Sequence, residues 1–244
     1  MQSDLMTPQE VYDNMDVVDT ADRKEIASFV SHDVFKLDVA KNATNTVDAV
    51  WVRKWADRSK RLVKSRCCSR GFLDAQKLSV DKHSSTASLL SHKLGMSLLA
   101  QHPDWELEAF DISTAFLQGL KFSEIHEKAR QLGIEVREHR QVWLRPPANF
   151  WRHLRALGFC TVLDCDRLYF ALFLLKAMYG LVDGPLLFQL AFLHFLRFDL
   201  NLNQSHHDDN LLMWYKINSK ALIIIVIIYI PLIYFSSICS RVPF

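Results

Sequence analysis

The chain has 244 residues, half of them hydrophobic, and a formal net charge of only +2. That length suits one large domain or two small ones with ample material for a core, and the near-zero charge excludes a uniformly basic nucleic-acid binder. Five cysteines, Cys67, Cys68, Cys160, Cys165 and Cys239, form no CxxC pair and no zinc spacing, which points to a reducing, intracellular setting.

Met1 to Glu10 is polar, unlike a secretion signal. Thr7, Pro8 and Glu10 spell a helix start, with a hydroxyl cap, a proline in the first turn and an acid three residues after the cap. A second helix is expected from Asp19 or Thr20, carrying Ile26, Phe29 and Val30 on one side. Lys41 to Asp48 reads as a polar loop. Val50 to Trp55 and Leu62 to Cys68 read as strands of a hairpin turned through Asp57 to Lys60, which sets Lys64 and Arg66 on one face. Between Arg53 and Arg70 there are eight basic residues against one acid, Asp57. Such a run is either a solvated face or a phosphate-binding surface, and Trp51, Trp55 and Phe72 within it favour an ordered ribbon.

Ser84 to Gln101 carries leucines at 89, 90, 94, 98 and 99, a helical stripe that stops before Pro103. Leu107 to Ile112 then reads as a strand with Leu107, Ala109 and Asp111 on one face and Phe110 and Ile112 on the other. Asp111 is the anomaly of this stretch, because a carboxylate ending a buried strand is costly without a partner. Two explanations stand: a cap for a helix starting at Ile112 or Ser113, or a ligand for a metal ion.

Ser123 to Leu132 is an amphipathic helix closed by Gly133, and Val142 to Leu144 a short strand cut off by Pro146 and Pro147. Trp151 to Leu157 looks helical, and Thr161 to Tyr169 carries no clear pattern. A strand over Phe170 to Lys176, a turn at Tyr179 to Leu181 and a deeply buried helix over Pro185 to Phe198 follow. His206, His207, Asp208 and Asp209 form a solvated loop or, less favoured, a metal-binding group. Leu211 to Tyr215 and Ile223 to Ile230 finish as strands joined through Asn218 and Ser219. Ala221 to Phe235 is uncharged but short for a membrane span, rich in β-branched isoleucine and broken by Pro231, so strands are expected there rather than a tail anchor. A hairpin followed by helices laid against non-adjacent strands makes the fold class α+β.

Four blocks in order, spanning about Lys24 to Phe235, resemble the reverse transcriptase of Ty1/copia-type retrotransposons. The first, WVRKWA with VKSRCCSRGF, is similar to the fingers hairpin of that family at Lys64, Arg66, Arg70, Gly71 and Phe72. The second matches its Asp-(Val/Ile)-x-x-Ala-Phe block at Asp111, Ile112, Ala115 and Phe116. The third is VWLRPPANF, Val142 to Phe150, and the fourth is LLKAMYGLVDGP, matching at Lys176, Tyr179, Gly180, Leu181 and Pro185. In the fourth, Asp183 replaces a glutamine and Leu186 an arginine that would face nucleotide or template.

The resemblance implies a polymerase-like palm, a small antiparallel sheet packed on helices, with a fingers β-hairpin. It implies residues 1–22 as an N-terminal extension, 23–235 as the fingers and palm, and 236–244 as a tail, with the thumb absent. By the same likeness Lys64 and Arg66 bind the triphosphate of an incoming dNTP, Phe116 lies under its sugar, and Asp111 is the catalytic aspartate and a ligand of Mg²⁺. Template-primer RNA or DNA is the implied partner. The second metal-ligand motif of the family, a Tyr-x-Asp-Asp turn, reads Tyr229, Ile230, Pro231, Leu232 in this chain. With both aspartates replaced, a metal pair and polymerisation are not expected, and a non-enzymatic nucleic-acid binder is the alternative.

Overall fold

The computed structural model describes residues 4–103, 105–136, 140–161, 169–215, 222–229 and 232–237. The architecture is α+β, with six helices and two five-stranded sheets among the described residues.

The N-terminal helix α1 (Pro8–Asp13) begins as its sequence predicts: the Glu10 N–H donates to Thr7 Oγ1 and the Thr7 N–H donates to the Glu10 carboxylate. Helix α2 (Met15–Ser31) starts four residues before Asp19, because the chain turns only briefly at Asn14. It runs unbroken through residues 22 and 23, so the N-terminal segment is part of the same body. Residues 4–6 also lie along the second strand, with the Met6 N–H donating to Arg53 O and the Trp55 N–H to Asp4 O.

The first sheet contains β1 (Phe35–Val39), β2 (Thr46–Asp57), β3 (Leu62–Ser69), β5 (Trp143–Arg145) and β6 (Phe170–Leu174) in the order β1-β6-β5-β2-β3. It is mixed, since β2 and β5 run parallel and the other pairs antiparallel. The second, antiparallel sheet contains β4 (Glu106–Asp111), β7 (Asn203–Gln204), β8 (Leu211–Tyr215), β9 (Leu222–Tyr229) and β10 (Leu232–Ser237) in the order β4-β10-β9-β8-β7. The apolar run after Ala221 is thus a strand pair in its described part, and β10 continues past residue 235. No helix among the described residues is long and apolar enough to cross a membrane. The link through Asn218 and Ser219, together with Ile230, Pro231, Cys165 and Cys239, lies outside the described residues. Cys67 and Cys68 are free thiols, whereas Cys160 is disulfide-bonded.

The remaining helices are α3 (Leu89–Gln101), α4 (Ile125–Leu132), α5 (Ala148–Ala156) and α6 (Gly184–His194). Gly133, with φ +79°, ends α4 in the left-handed conformation that glycine adopts freely. Helix α6 is buried on most of its circumference through Leu186, Leu187, Phe188, Leu190 and Leu193. Its buried Gln189 donates to Ser85 O and to Asn210 Oδ1, which pins the loops around residues 85 and 210. The core joins α2, α5 and the first sheet through packed rings of Phe29, Phe35, Phe150 and Trp51.

Helix α3 departs from expectation. It begins at Leu89, with Ser88 as its cap, rather than at Ser84. Its buried face is Ser91 and Gly95, while Leu89 and Leu90 are 70% and 76% exposed and Leu94 is half exposed. The N-terminal half of the leucine stripe thus faces outward, while Leu98 is partly buried against Ala87 and Leu211.

Candidate nucleic-acid and nucleotide site

The hairpin β2–β3 pairs Lys54 with Lys64 and Val52 with Arg66, and Lys64 and Arg66 lie on its exposed face. Most other cations of the basic run are already matched by acids. Arg53 binds buried Asp22 at 2.6 Å, Arg58 binds Glu10 at 2.7 Å, Arg61 binds Asp16 at 3.1 Å, Arg70 binds Asp48 at 3.0 Å, and Lys60 binds Asp57 at 3.5 Å. Among the described residues Lys54, Lys64 and Arg66 have no ion-pair partner. The broad phosphate-binding ribbon suggested by the sequence therefore contracts to these three.

Behind the hairpin, two glycines bring the turn after β6 against the end of β3. The Ser69 N–H and hydroxyl both donate to Tyr179 O, at 2.7 and 3.0 Å. Gly180 has φ +97°, and a Cβ there would stand 2.0 Å from Ser69 O; a Cβ on Gly71 would stand 2.1 Å from Gly180 O. No side chain fits at either position. The approach sets the Tyr179 ring under the Arg66 guanidinium, 5.0 Å from it, and edge-on to Phe116 at 5.7 Å.

Asp111 ends β4, an edge strand of the second sheet, and is exposed. The premise of a carboxylate ending a buried strand is therefore corrected: Leu107 and Phe110 of the same strand are also exposed, at 44% and 49%. The helix-cap explanation also fails. The turn Ala115–Gln118 has Thr114 at its cap position, held at φ +53°, with no side-chain capping bond. Across the sheet, Asp111 pairs directly with Leu232, and Leu232 pairs in turn with Tyr229 of β9.

A cleft of about 270 Å³ is lined by Lys64, Arg66, Asp111, Phe116, Tyr179 and, unforeseen, Glu25 of α2. All four site residues chosen from the sequence thus meet at one place. Glu25 Oε1 accepts from the Cys67 N–H at 3.3 Å. Burial lifts its carboxyl above the ordinary carboxylate range, against the pull of that N–H, Arg66 and Lys64. No spacing rule marks Glu25, because nothing in α2 reveals which strand it packs on.

Lys176, matched in the fourth block, and Asp183, which departs from it, lie elsewhere. Lys176 Nζ donates to Leu117 O at 3.4 Å, and burial, with Lys121 nearby, lowers its pKa. Asp183 is buried and takes Arg140 Nε at 2.8 Å, while Arg140 also binds buried Asp74. It does not mark a lost polar contact with nucleotide or template; it is one arm of an internal ion-pair triad.

A pair of Mg²⁺ ions needs several converging carboxylates to offset their repulsion. The cleft offers Asp111 and a Glu25 already engaged by a backbone N–H, and the residue opposite Asp111 is a leucine. Among the described residues no group of three His, Cys, Asp or Glu side chains could hold a metal ion. The described residues of the cleft do not fit a metal pair. Nor does the loop His206 to Asp209 supply one: Asp208 accepts from the Ser88 N–H at 2.7 Å and from the Ser91 hydroxyl, bracing the start of α3, and Asp209 is exposed.

In comparisons with known proteins, no family model, no curated protein and no solved structure matches the chain.

Proposed function

We propose that the chain is a reverse-transcriptase-like fingers-and-palm domain of Ty1/copia retroelement type, which binds nucleotide and nucleic-acid phosphate and does not polymerise. The observation that carries this reading is the single cleft lined by Lys64, Arg66, Asp111 and Phe116, residues drawn from two separate sequence blocks, with Tyr179 of a third. Paired cations on a strand face suit a polyphosphate, and the Phe116 and Tyr179 rings offer surfaces for a sugar and a base. The pairing of Asp111 with Leu232 supports the loss of activity, because the position facing the one remaining aspartate carries no oxygen donor.

Primer extension on an RNA template with Mg²⁺ or Mn²⁺ tests this, and no incorporation is expected. Template-dependent incorporation abolished by Asp111→Ala would overturn the inactivity.

A second reading, a non-enzymatic nucleic-acid binder, is favoured by the exposed cross-strand pair Lys54 and Lys64 next to Arg66. It predicts salt-dependent binding of single strands that falls when Lys64 and Arg66 become alanine. No binding at low salt would end it.

A further inference from the structure

Glu25 belongs to none of the sequence blocks that mark the cleft, yet it decides the charge there. Lys64 and Arg66 bring two positive charges and Asp111 one negative. An ionised Glu25 cancels the remaining surplus, and a neutral one leaves it. The carboxylate is also fixed in place, since its Oε1 is tied to the Cys67 N–H of β3 at 3.3 Å.

We infer that Glu25 is the specificity-determining residue of the cleft: ionised, it holds the affinity for polyphosphate down, and neutralised, it admits the ligand. This rests on the nucleotide reading above. The other groups facing Glu25 do not share the role. Asp22, on the same helix, is committed to Arg53 at 2.6 Å. The Cys67 and Cys68 thiols of β3 and the Tyr179 hydroxyl are pushed up by burial and stay neutral near pH 7. Lys64 and Arg66 of β3 line the same cleft, as does Asp111, which is exposed to solvent. Because burial raises the Glu25 carboxyl, mild acid neutralises it at a pH where a solvated carboxylate is still charged.

The test is calorimetric titration with inorganic tripolyphosphate and with dATP, in EDTA so that no divalent cation intervenes, on the full chain and on Glu25→Gln. The glutamine keeps a carbonyl oxygen to accept from the Cys67 N–H. Near neutral pH, Glu25→Gln is expected to bind tripolyphosphate about ten-fold tighter than the native chain, with the gap closing as pH falls. Lys64→Gln should weaken binding in both backgrounds. Equal affinity of the native chain and Glu25→Gln, with Lys64→Gln still weakening both, overturns the role of Glu25 and leaves the nucleotide reading standing. Absence of binding by both proteins overturns the two together. Inorganic sulfate, which does not titrate in this range, gives a second measurement on the native chain alone: its affinity should rise as pH falls, and a flat profile counts against the inference.

Discussion

Gly180 shows how much one residue can decide. With φ +97° and the Ser69 carbonyl oxygen where a Cβ would stand, alanine there meets both backbone strain and a clash with backbone that cannot swing away. Gly180→Ala should destabilise the chain by about 2 kcal/mol or more, read as a lower urea midpoint; an unchanged midpoint would show that β3 and the Tyr179 turn do not meet this closely. The Arg140 triad yields a second residue-level expectation. Asp74 accepts from Arg140, from Asn45 at 2.8 Å and from the Gln76 N–H at 2.9 Å, and although burial pushes its carboxyl up, these bonds together hold it below the usual range. Asp183 shares the same single cation, and there burial wins and lifts it. Asp74 therefore stabilises the fold above its unfolded pKa and loses that contribution as pH falls. Asp183 has the opposite sign: its contribution is complete below its unfolded pKa and is lost as pH rises through the higher folded value. At neutral pH, Asp183→Asn should cost little, while Asp74→Asn, which leaves Arg140 only the buried Asp183, should cost about 3 kcal/mol; thermal melts of the two variants decide it.

At the scale of elements, what was legible in the sequence was what local chemistry fixes. Thr7, Pro8 and Glu10 announce α1 because a capping box is made within four residues, and Gly133 ends α4 because the next residue must turn left-handed. The Glu10 carboxyl is lowered to about 2, first by the Thr7 N–H and then by Arg58 and Trp55. Its contribution is in place above the unfolded value and is lost as pH falls toward about 2, so Glu10→Gln should flatten the acid limb of the stability profile. What was not legible was the direction each element faces. The leucines of α3 repeat as a buried stripe would, but the buried positions are Ser91 and Gly95, and Leu89, Leu90 and Leu94 are exposed while Leu98 is partly buried. Leu90→Lys should change stability by less than about 0.5 kcal/mol, whereas Leu190→Ala, in the fully buried α6, should cost about 3 kcal/mol; paired denaturant titrations separate them. The basic run misled for a related reason. Its charges can be counted, but the acids that neutralise them, Glu10, Asp16 and Asp22, lie far back in the chain.

Across the whole molecule, the class α+β followed from the mixture of periods in the sequence, while the sheet order did not. Strand β1 was missed because it is short and pairs with β6, far along the chain, and β7 is only two residues long. The candidate site was largely legible, since Lys64, Arg66, Asp111 and Phe116 do meet, yet Glu25 joins them only through packing of α2 on β3. Because the donor set does not fit a pair of divalent cations, Mg²⁺ at millimolar concentration should leave the Tm unchanged, whereas a ligand held only by the native state would raise it. A rise in Tm with Mg²⁺, abolished by Asp111→Ala, would contradict the donor argument.

The pairing of β4 also bears on the order of assembly. Among the described residues its partner strand is β10, so the Asp111 side of the cleft docks after a very long stretch of chain has been gathered in. Closing such a loop costs entropy before any contact repays it, and non-local strand pairing is slow for that reason. The hairpin β2–β3, by contrast, closes through a handful of residues. On a ribosome, Lys64 and Arg66 would be in position early and would wait for Asp111, leaving a half-built, cationic cleft exposed to the polyanions around it.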